Sequence, residues 1–266
     1  YGMKSSHRSG ESGSAMEEEV DDDGTKVLSF GDILLRGRDV SSLRSRNWLN
    51  DSILSFYFEW LGTRGQRGDW ARLLHTSAVQ LVSSLPEPDA RAVVQSMGLA
   101  STELVLAAVN DSAGEPFAQP EAGSHWSLLV FLRSENKFFH FDSLPQSPNQ
   151  RHAVSLAGRL ARGMAVDQAQ EAGRDSSSFS LQDLFSFQDA RDKAPRQANG
   201  HDCGVYVLAM AAAIIAAVEE THRQDQEHER RPFLSRLDLN GITPERVGAM
   251  RTEVLDLIHA LAATAS

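Results

Sequence analysis

Apolar residues along the chain fall into long runs with helical spacing and shorter runs with strand character. Ser52–Leu61 is crowded with apolar positions and predicts a mostly buried helix, for which Asn50 or Asp51 can serve as the cap. Cys203–Glu220 is nearly all apolar through Val218, which predicts a central and buried helix. Further helices are predicted over Trp70–Val82, Pro88–Met97, Arg151–Ala165 and Glu245–Ala263.

Three short segments have the apolar and β-branched character of strands. Leu104–Val109 predicts a buried strand, while His125–Leu132 and Phe138–Asp142 predict a hairpin that turns at Arg133–Lys137. Phe179–Asp189 fits either a strand or a helix, and its pattern does not decide between them. Helices packed around a small antiparallel or mixed sheet make α+β the expected fold class.

The two ends of the chain differ in composition. Tyr1–Lys26 is rich in Ser and Gly and then strongly acidic, so we expect a disordered tail that serves either as an interaction segment or as a solvated end. Residues 27–266 are expected to form a single domain. Within it, Asn110–Ser124 contains two Pro and two Gly, and loops of this length are usually functional or disordered. We expect this loop to be mobile without substrate.

Composition narrows the possible functions. The 266 residues are 41% hydrophobic and 23% charged, which is typical of a globular protein. The net charge of −10 argues against a general nucleic-acid binder and leaves room for a basic protein partner. Gly204–Val218, a long apolar run without charges, is shorter than the roughly 20 residues that span a bilayer. We expect a monomer in the cytoplasm or nucleus, without a membrane, nucleic acid or cofactor.

The single cysteine, Cys203, excludes an internal disulfide framework and a multi-cysteine metal site. It begins the predicted central helix, where the positive end of the helix dipole stabilises a thiolate, the nucleophilic form of the side chain. A buried structural thiol is the alternative interpretation. His201 is a further candidate, as a metal ligand beside the cysteine, but it has neither a second cysteine nor a nearby histidine to join it.

His125 and Asp142 stand at the open end of the predicted hairpin. Neighbouring positions on paired strands have Cβ atoms roughly 4.5–5.5 Å apart, so the two side chains are expected to lie close together. A carboxylate beside an imidazole fixes the tautomer of the ring, which can then accept the proton of a thiol and later protonate a leaving amine. Taken singly, His125 fits a solvated strand end and Asp142 fits a turn or cap residue.

Gln197 lies six residues before Cys203 in the loop that leads to the predicted helix. Its side-chain amide can point an N–H at a developing oxyanion, together with the backbone N–H of the cysteine. A solvent-exposed loop glutamine is the alternative interpretation.

These residues occur in four segments that together resemble the ubiquitin-like-protein-specific cysteine proteases, which include the sentrin-specific proteases. The segments are WLND at 48–51, HWSLLV at 125–130, FDS at 141–143 and QANGHDCG at 197–204. The resemblance implies a papain-like cysteine protease fold with permuted chain order and a central helix that starts at the nucleophile. It also implies a catalytic triad and an oxyanion donor, namely His125, Asp142, Cys203 and Gln197.

Within that family the chain looks most like a deneddylase. The segments 28–40 and 109–112, and Gly123–Ser124 before His125, resemble those enzymes. The implied substrate is the neddylation modifier, cleaved after its C-terminal Gly-Gly.

Three further residues take substrate-binding roles from the resemblance. Trp48 and Trp126 are implied to enclose a narrow channel for Gly-Gly, and their indole N–H groups can meet peptide carbonyls. Core packing is the alternative for each. Asp51 resembles a residue that pairs with an arginine of the modifier, although a helix N-cap would also explain it.

Four functions remain open on the sequence alone. The leading hypothesis is a thiol isopeptidase that acts on a ubiquitin-like modifier, which the resemblance implies is the neddylation modifier. A SUMO-specific protease is the alternative. An acyltransferase of the same clan would need no Gly-Gly channel. An inactive modifier-binding module would be expected to lack members of the triad.

Overall fold

The computed structural model describes residues 24–44, 46–64, 70–112, 123–171, 185–223 and 231–265. Most of the predicted acidic tail and residues 113–122 of the long loop before His125 lie outside the described residues, so both expectations stay predictions. The tail was predicted one residue too long, because β1 begins at Lys26 (Lys26–Phe30) and pairs with β2 (Ile33–Arg36) in an antiparallel hairpin. This hairpin was not predicted from the sequence.

A five-stranded mixed sheet forms the centre of the domain, in the spatial order β3-β4-β5-β6-β7. The outer pairs, β3 with β4 and β6 with β7, are parallel, and the inner pairs are antiparallel. Every residue of β4 and β5 is buried, which explains why both were visible as continuous apolar runs. The strands are β3 (Ala71–Leu74), β4 (Leu104–Asn110), β5 (Trp126–Leu132), β6 (Lys137–Phe141) and β7 (Ser186–Asp189).

Helices cover both faces of this sheet, because alternate residues of the central strands point into two different cores. Leu104, Leu106 and Val130 pack into one core, and Val105 and Leu129 pack into the other. The helices are α1 (Gly37–Ser41), α2 (Asp51–Thr63), α3 (Thr76–Ser84), α4 (Glu87–Ser96), α5 (Asn149–Glu171), α6 (Cys203–Arg223), α7 (Phe233–Arg236) and α8 (Pro244–Ala265). The first core contains residues of α2, α6 and α8, and the second contains residues of α3, α4 and α5. The predicted α+β class with a small mixed sheet is confirmed.

The predicted helix over Trp70–Val82 is wrong in its first half. Ala71–Leu74 is the edge strand β3, because its backbone pairs in parallel with β4, and α3 begins only at Thr76. The undecided segment before Asp189 ends as a strand, since Ser186–Asp189 pairs with β6, while residues 179–184 lie outside the described residues.

The helix α6 runs through the middle of the domain. By length and composition alone, Cys203–Thr221 could cross a membrane, so the expectation that this apolar run is too short is corrected. Within the fold, however, 67% of that segment is buried, as in the core helix of a globular domain. Its apolar character is therefore explained by packing against β5 and α2.

Candidate active site

The structure brings Cys203, His125 and Asp142 together at one end of the sheet. Cys203 is the first residue of α6, His125 immediately precedes β5, and Asp142 immediately follows β6. All three are buried, with the cysteine 2% exposed. Nε2 of the imidazole lies 2.7 Å from Oδ1 of Asp142, and the ring also makes a hydrogen bond with Cys203. Because Nε2 is engaged by the carboxylate, Nδ1 is the ring nitrogen available to the thiol.

The environment of His125 favours its protonated form. Burial opposes the charged imidazolium, but hydrogen bonds to Asp142 and Cys203 and the negative charges of these groups outweigh that effect. Together they raise the pKa of His125 from its ordinary value of 6.5 to about 9. A ring that holds a proton at neutral pH can stabilise a neighbouring thiolate and can later donate the proton to a leaving amine.

Two polar side chains hold the backbone of His125 in place. Oδ1 of Asp111 accepts from the backbone N–H of His125 at 3.1 Å and from that of Ser124 at 2.6 Å. The fully buried Asn149 donates its amide to the carbonyl oxygens of His125 and Val109 at 3.3 and 3.1 Å. The histidine is therefore anchored at both its backbone N–H and its carbonyl.

Gln197 is held in the loop before α6 by three hydrogen bonds. Its Oε1 accepts from the hydroxyl of Ser143 at 2.7 Å, and its backbone N–H donates to the carbonyl of Ser143 at 3.1 Å. Its Nε2 donates to the carbonyl of Asn199 at 2.7 Å. An amide NH₂ group carries two hydrogens, so one is left for a further acceptor. The residue after Asp142 thus orients the predicted oxyanion donor.

A groove of ≈ 280 Å³ opens onto the nucleophile. Trp48 stands on its rim with 50% of the residue exposed, whereas Trp126 is 7% exposed and forms part of the core. Both predicted channel residues, and Asp51, therefore lie at the groove. The residues that line it are Arg38, Ser42, Trp48, Leu49, Asn50, Asp51, Asn110, Gly123, Ser124, Trp126 and Cys203.

The indole N–H groups bind carbonyl oxygens of the chain itself. Nε1 of Trp48 donates to the carbonyl of Gly200 at 2.8 Å, and Nε1 of Trp126 donates to that of Leu49 at 3.0 Å. Both N–H groups are thus paired within the chain, and the expectation that they meet carbonyls of a bound peptide stays a prediction. The two rings are fixed as walls of the groove.

At the start of α2, Asn50 caps the helix and Asp51 lines the groove. Asn50 is the N-cap, because its side chain accepts from the backbone N–H of Ile53 at 3.2 Å. Asp51 is the first helical residue and lines the groove, so the interpretation of Asp51 as the cap is wrong. Asp51 and Trp48 are therefore both lining residues of the groove.

Tight packing joins the start of α6 to the segment after Trp48. A Cβ added at Gly204 would come within 2.9 Å of the Cβ of Leu49. A larger residue beside the nucleophile would push this wall of the groove away. His201, the metal-ligand candidate, lies 4.0 Å from Asp202, and among the described residues no group of three or more metal-binding side chains is found.

Several polar residues of the site were not recognised in the sequence. Asn149 and Ser143 carry no signal of their own, because each acts through a hydrogen bond to a distant segment. Arg251 on α8, in contrast, does carry a signal in the sequence. It falls on the same helical face as the buried Val247 and Val254, where a charge is unexpected.

Comparisons with known proteins agree with this arrangement. A model of the Ulp1 protease family, C-terminal catalytic domain, matches residues 91–247. Sentrin-specific protease 8 of Homo sapiens is 32% identical over 239 residues, which cover 89% of this chain and 97% of the relative. NEDD8-specific protease 1 of Arabidopsis thaliana is 28% identical over 242 residues, which cover 91% of this chain and 95% of the relative.

Solved structures confirm the fold. The SUMO protease Ulp1, with its catalytic cysteine oxidized to a sulfinic acid, aligns with a TM-score of 0.59 at 17% identity and covers 90% of this chain and 89% of its own. The Ulp1 protease domain in complex with Smt3 gives a TM-score of 0.56 at 19% identity, with 90% and 88% covered. The papain-like architecture implied by the resemblance is thus confirmed. The chain belongs to the Ulp1 protease family and is a cysteine protease for ubiquitin-like modifiers.

Proposed function

We propose that this protein is a deneddylase, a thiol isopeptidase that cleaves after the C-terminal Gly-Gly of the neddylation modifier, both in conjugates and in the precursor. The observation that carries the substrate assignment is near full-length similarity to relatives named sentrin-specific protease 8 and NEDD8-specific protease 1. The SUMO protease structures support the fold alone, because their identities are below 25%.

In the proposed reaction Cys203 reacts as a thiolate whose proton already resides on Nδ1 of His125, while Asp142 holds the ring at Nε2. The thiolate attacks the carbonyl carbon of the terminal glycine, and the charge that develops on its oxygen is stabilised by the backbone N–H of Cys203 and the side chain of Gln197. The imidazolium then protonates the leaving amine, and a thioester forms. Water activated by the same imidazole hydrolyses the thioester and restores the thiol.

The groove supports a substrate with an extended, narrow tail. Trp48, Trp126 and Cys203 all line it, and Cys203 is only 2% exposed, so a slender segment suits access to the sulfur. Asp51 contributes a negative charge at the rim, which suits the arginine that precedes Gly-Gly in the neddylation modifier. Ubiquitin shares that arginine, so this carboxylate alone does not separate the two modifiers.

A comparison of three substrates tests the proposal. The purified protein is given the neddylation modifier, ubiquitin and SUMO, each fused at its C-terminus to the same reporter, and cleavage rates are measured. We expect the neddylation modifier to be cleaved first, ubiquitin much more slowly and SUMO negligibly. Preferred cleavage of SUMO would overturn the deneddylase assignment and leave the family assignment intact.

An electrophilic probe separates the protease from the other hypotheses. The neddylation modifier with a C-terminal electrophile should form a covalent adduct with Cys203, and the Cys203→Ala variant is the matched control. Binding without an adduct would indicate a recognition module. An acyltransferase would give neither an adduct nor cleavage.

A further inference from the structure

The guanidinium of Arg251 is buried against the residue that precedes the nucleophile. Arg251 is 6% exposed, and its Nε and Nη2 lie 2.9 and 2.7 Å from Oδ1 of Asp202. The other carboxylate oxygen of Asp202 accepts from Nδ2 of Asn199 at 2.7 Å. The loop that ends at Cys203 is therefore held from the C-terminal helix α8, 49 residues further along the chain.

The same guanidinium also reaches the segment that carries Trp48. Nη1 of Arg251 donates to the carbonyl of Ser42 at 3.1 Å, and Nη2 donates to the carbonyls of Asn47 and His201 at 2.8 and 3.1 Å. Asn47 directly precedes Trp48, and His201 lies two residues before the nucleophile. One side chain thus binds both chain segments that form the walls of the groove at this end.

A solvent-exposed hydrogen bond also joins the Trp48 segment to the loop before Cys203. Trp48 donates its indole N–H to the carbonyl of Gly200, as described above. Trp48 is half exposed, so its bond competes with water, whereas Arg251 is 6% exposed and its bonds to Asp202 and Ser42 are buried and those to Asn47 and His201 partly buried. The buried contact is therefore the one that can set the separation of the two walls.

We propose that Arg251 is a positioning residue for the protease reaction. Its guanidinium fixes the distance between the Trp48 segment and the Cys203 segment, so that a substrate tail held by the indole presents its carbonyl to the sulfur. Arginine suits this task because its planar group offers five donors in a rigid fork, whereas lysine offers three on a single flexible centre. Loss of the Arg251 guanidinium would leave the buried carboxylate of Asp202 without its ion-pair partner.

The test compares two reactions of the same cysteine. The first is cleavage of the neddylation modifier, which needs the groove. The second is alkylation of Cys203 by iodoacetamide, a small reagent that must enter the groove but does not need its two walls to hold a peptide tail in register, and the single cysteine makes the product unambiguous. Arg251 makes its described hydrogen bonds to Asp202 and to backbone carbonyls, not to His125.

The variants are Arg251→Met and Arg251→Lys, with Arg246→Met as the matched control. Arg246 lies on the same helix and forms an ion pair with Glu253 at 2.7 Å, but both side chains are about half exposed. For Arg251→Met we expect kcat/KM for the modifier to fall on the order of 10²-fold, while alkylation stays near the wild-type rate. For Arg251→Lys we expect a loss of roughly tenfold, because the charge remains without the fork.

Wild-type cleavage by folded Arg251→Met would overturn the proposal, as would equal losses of cleavage and alkylation, which would indicate general destabilisation. If Arg251→Met does not fold, Arg251→Lys decides, and cleavage by it at the wild-type rate overturns the proposal. Arg246→Met should match the wild type in both reactions.

This inference rests on the proposed function only for the choice of substrate. If the intact protein leaves the neddylation modifier uncleaved, the deneddylase assignment fails. Arg251 is then tested with the modifier that the intact protein does cleave.

Discussion

Nε2 of His125 lies 2.7 Å from Oδ1 of Asp142, and both side chains are buried between the start of β5 and the end of β6. The pair joins two strands that are adjacent in the sheet, so the hairpin itself sets the geometry of the site. The carboxylate occupies one ring nitrogen and leaves the other for the thiol of Cys203. It also helps to raise the pKa of the ring to about 9.

That raised pKa predicts how stability depends on pH. A folded-state pKa of about 9, against an ordinary value of 6.5, means that His125 binds its proton more tightly in the folded protein. The resulting stabilisation is fully present below pH 6.5 and is lost as the pH rises through about 9. The free energy of unfolding of the wild type should therefore exceed that of Asp142→Asn most below pH 6.5, and the difference should narrow toward pH 9. Urea unfolding of both proteins at a series of pH values measures this difference in unfolding free energy. A difference that grows with pH would contradict the prediction.

Substitution of the nucleophile should abolish cleavage. Cys203→Ala removes the sulfur and should retain the fold and binding of the modifier, whereas full turnover by this variant would refute the assignment. Cys203→Ser should also be very slow, because a hydroxyl is a far weaker nucleophile than a thiolate at neutral pH. Single-turnover cleavage measures both, and titration calorimetry with the modifier checks that binding is retained.

Gln197 and Ser143 should act on the same step. Loss of an oxyanion donor typically costs on the order of 3 kcal/mol, so Gln197→Ala should lower kcat by roughly 10²-fold with little change in KM. Ser143→Ala removes the hydroxyl that donates to Gln197 Oε1, and its effect should be smaller and should also fall on kcat. In the double variant the two losses should combine to less than their sum, because both remove one donor. A rise in KM alone would show that Gln197 merely contacts substrate.

Asp111 should contribute to catalysis because its carboxylate positions the backbone of His125. The carboxylate accepts from the backbone N–H groups of Ser124 and His125 and from the hydroxyl of Ser124, so Asp111→Ala leaves three donors without their partner. We expect kcat to fall by about tenfold, because small displacements of a catalytic base are costly. Asp111→Asn keeps an acceptor oxygen and should recover part of the activity. Equal kcat for Asp111→Ala and the wild type would show that the strand alone positions the imidazole.

Much of the fold was predictable because its central elements are fully buried. The strands β4 and β5 and the first sixteen residues of the helix α6 read as nearly continuous apolar runs, since burial selects apolar residues. Ala71–Leu74 was misread as helical because a four-residue edge strand is decided by pairing with β4 and not by its own pattern. The hairpin of β1 and β2 was missed for a related reason, since only one residue of each short strand is buried.

The catalytic residues of the site were predictable because their side-chain types indicate the reaction directly. A cysteine at the start of a helix and a histidine and an aspartate at the open end of a hairpin have few other reasons to occur together. Positioning residues lack that signal, because their partners are backbone groups brought close only by folding. Asn149 binds the carbonyl of His125 across 24 residues, and Arg251 binds that of Asn47 across 204. Only the place of Arg251 on a buried helical face marks it in advance.

The last prediction concerns the charge at the rim of the groove. Asp51 lines the groove beside the exposed Trp48, and the proposed substrate carries an arginine shortly before Gly-Gly. A partly exposed ion pair of this kind contributes up to about 1 kcal/mol, so Asp51→Asn should raise KM by roughly fivefold and leave kcat nearly unchanged. Because salt screens such pairs, the rate of the wild type should fall with ionic strength more steeply than that of the variant.

Asp32→Asn is the matched control, because Asp32 is an exposed acid in the turn between β1 and β2 and does not line the groove. It changes the net charge by the same amount and should leave KM and its salt dependence as in the wild type. If both variants raised KM equally, the effect would come from the overall charge of the protein. An effect confined to Asp51→Asn places the recognition of the basic tail at the start of α2, where Asp51 lines the groove that Trp48 also lines.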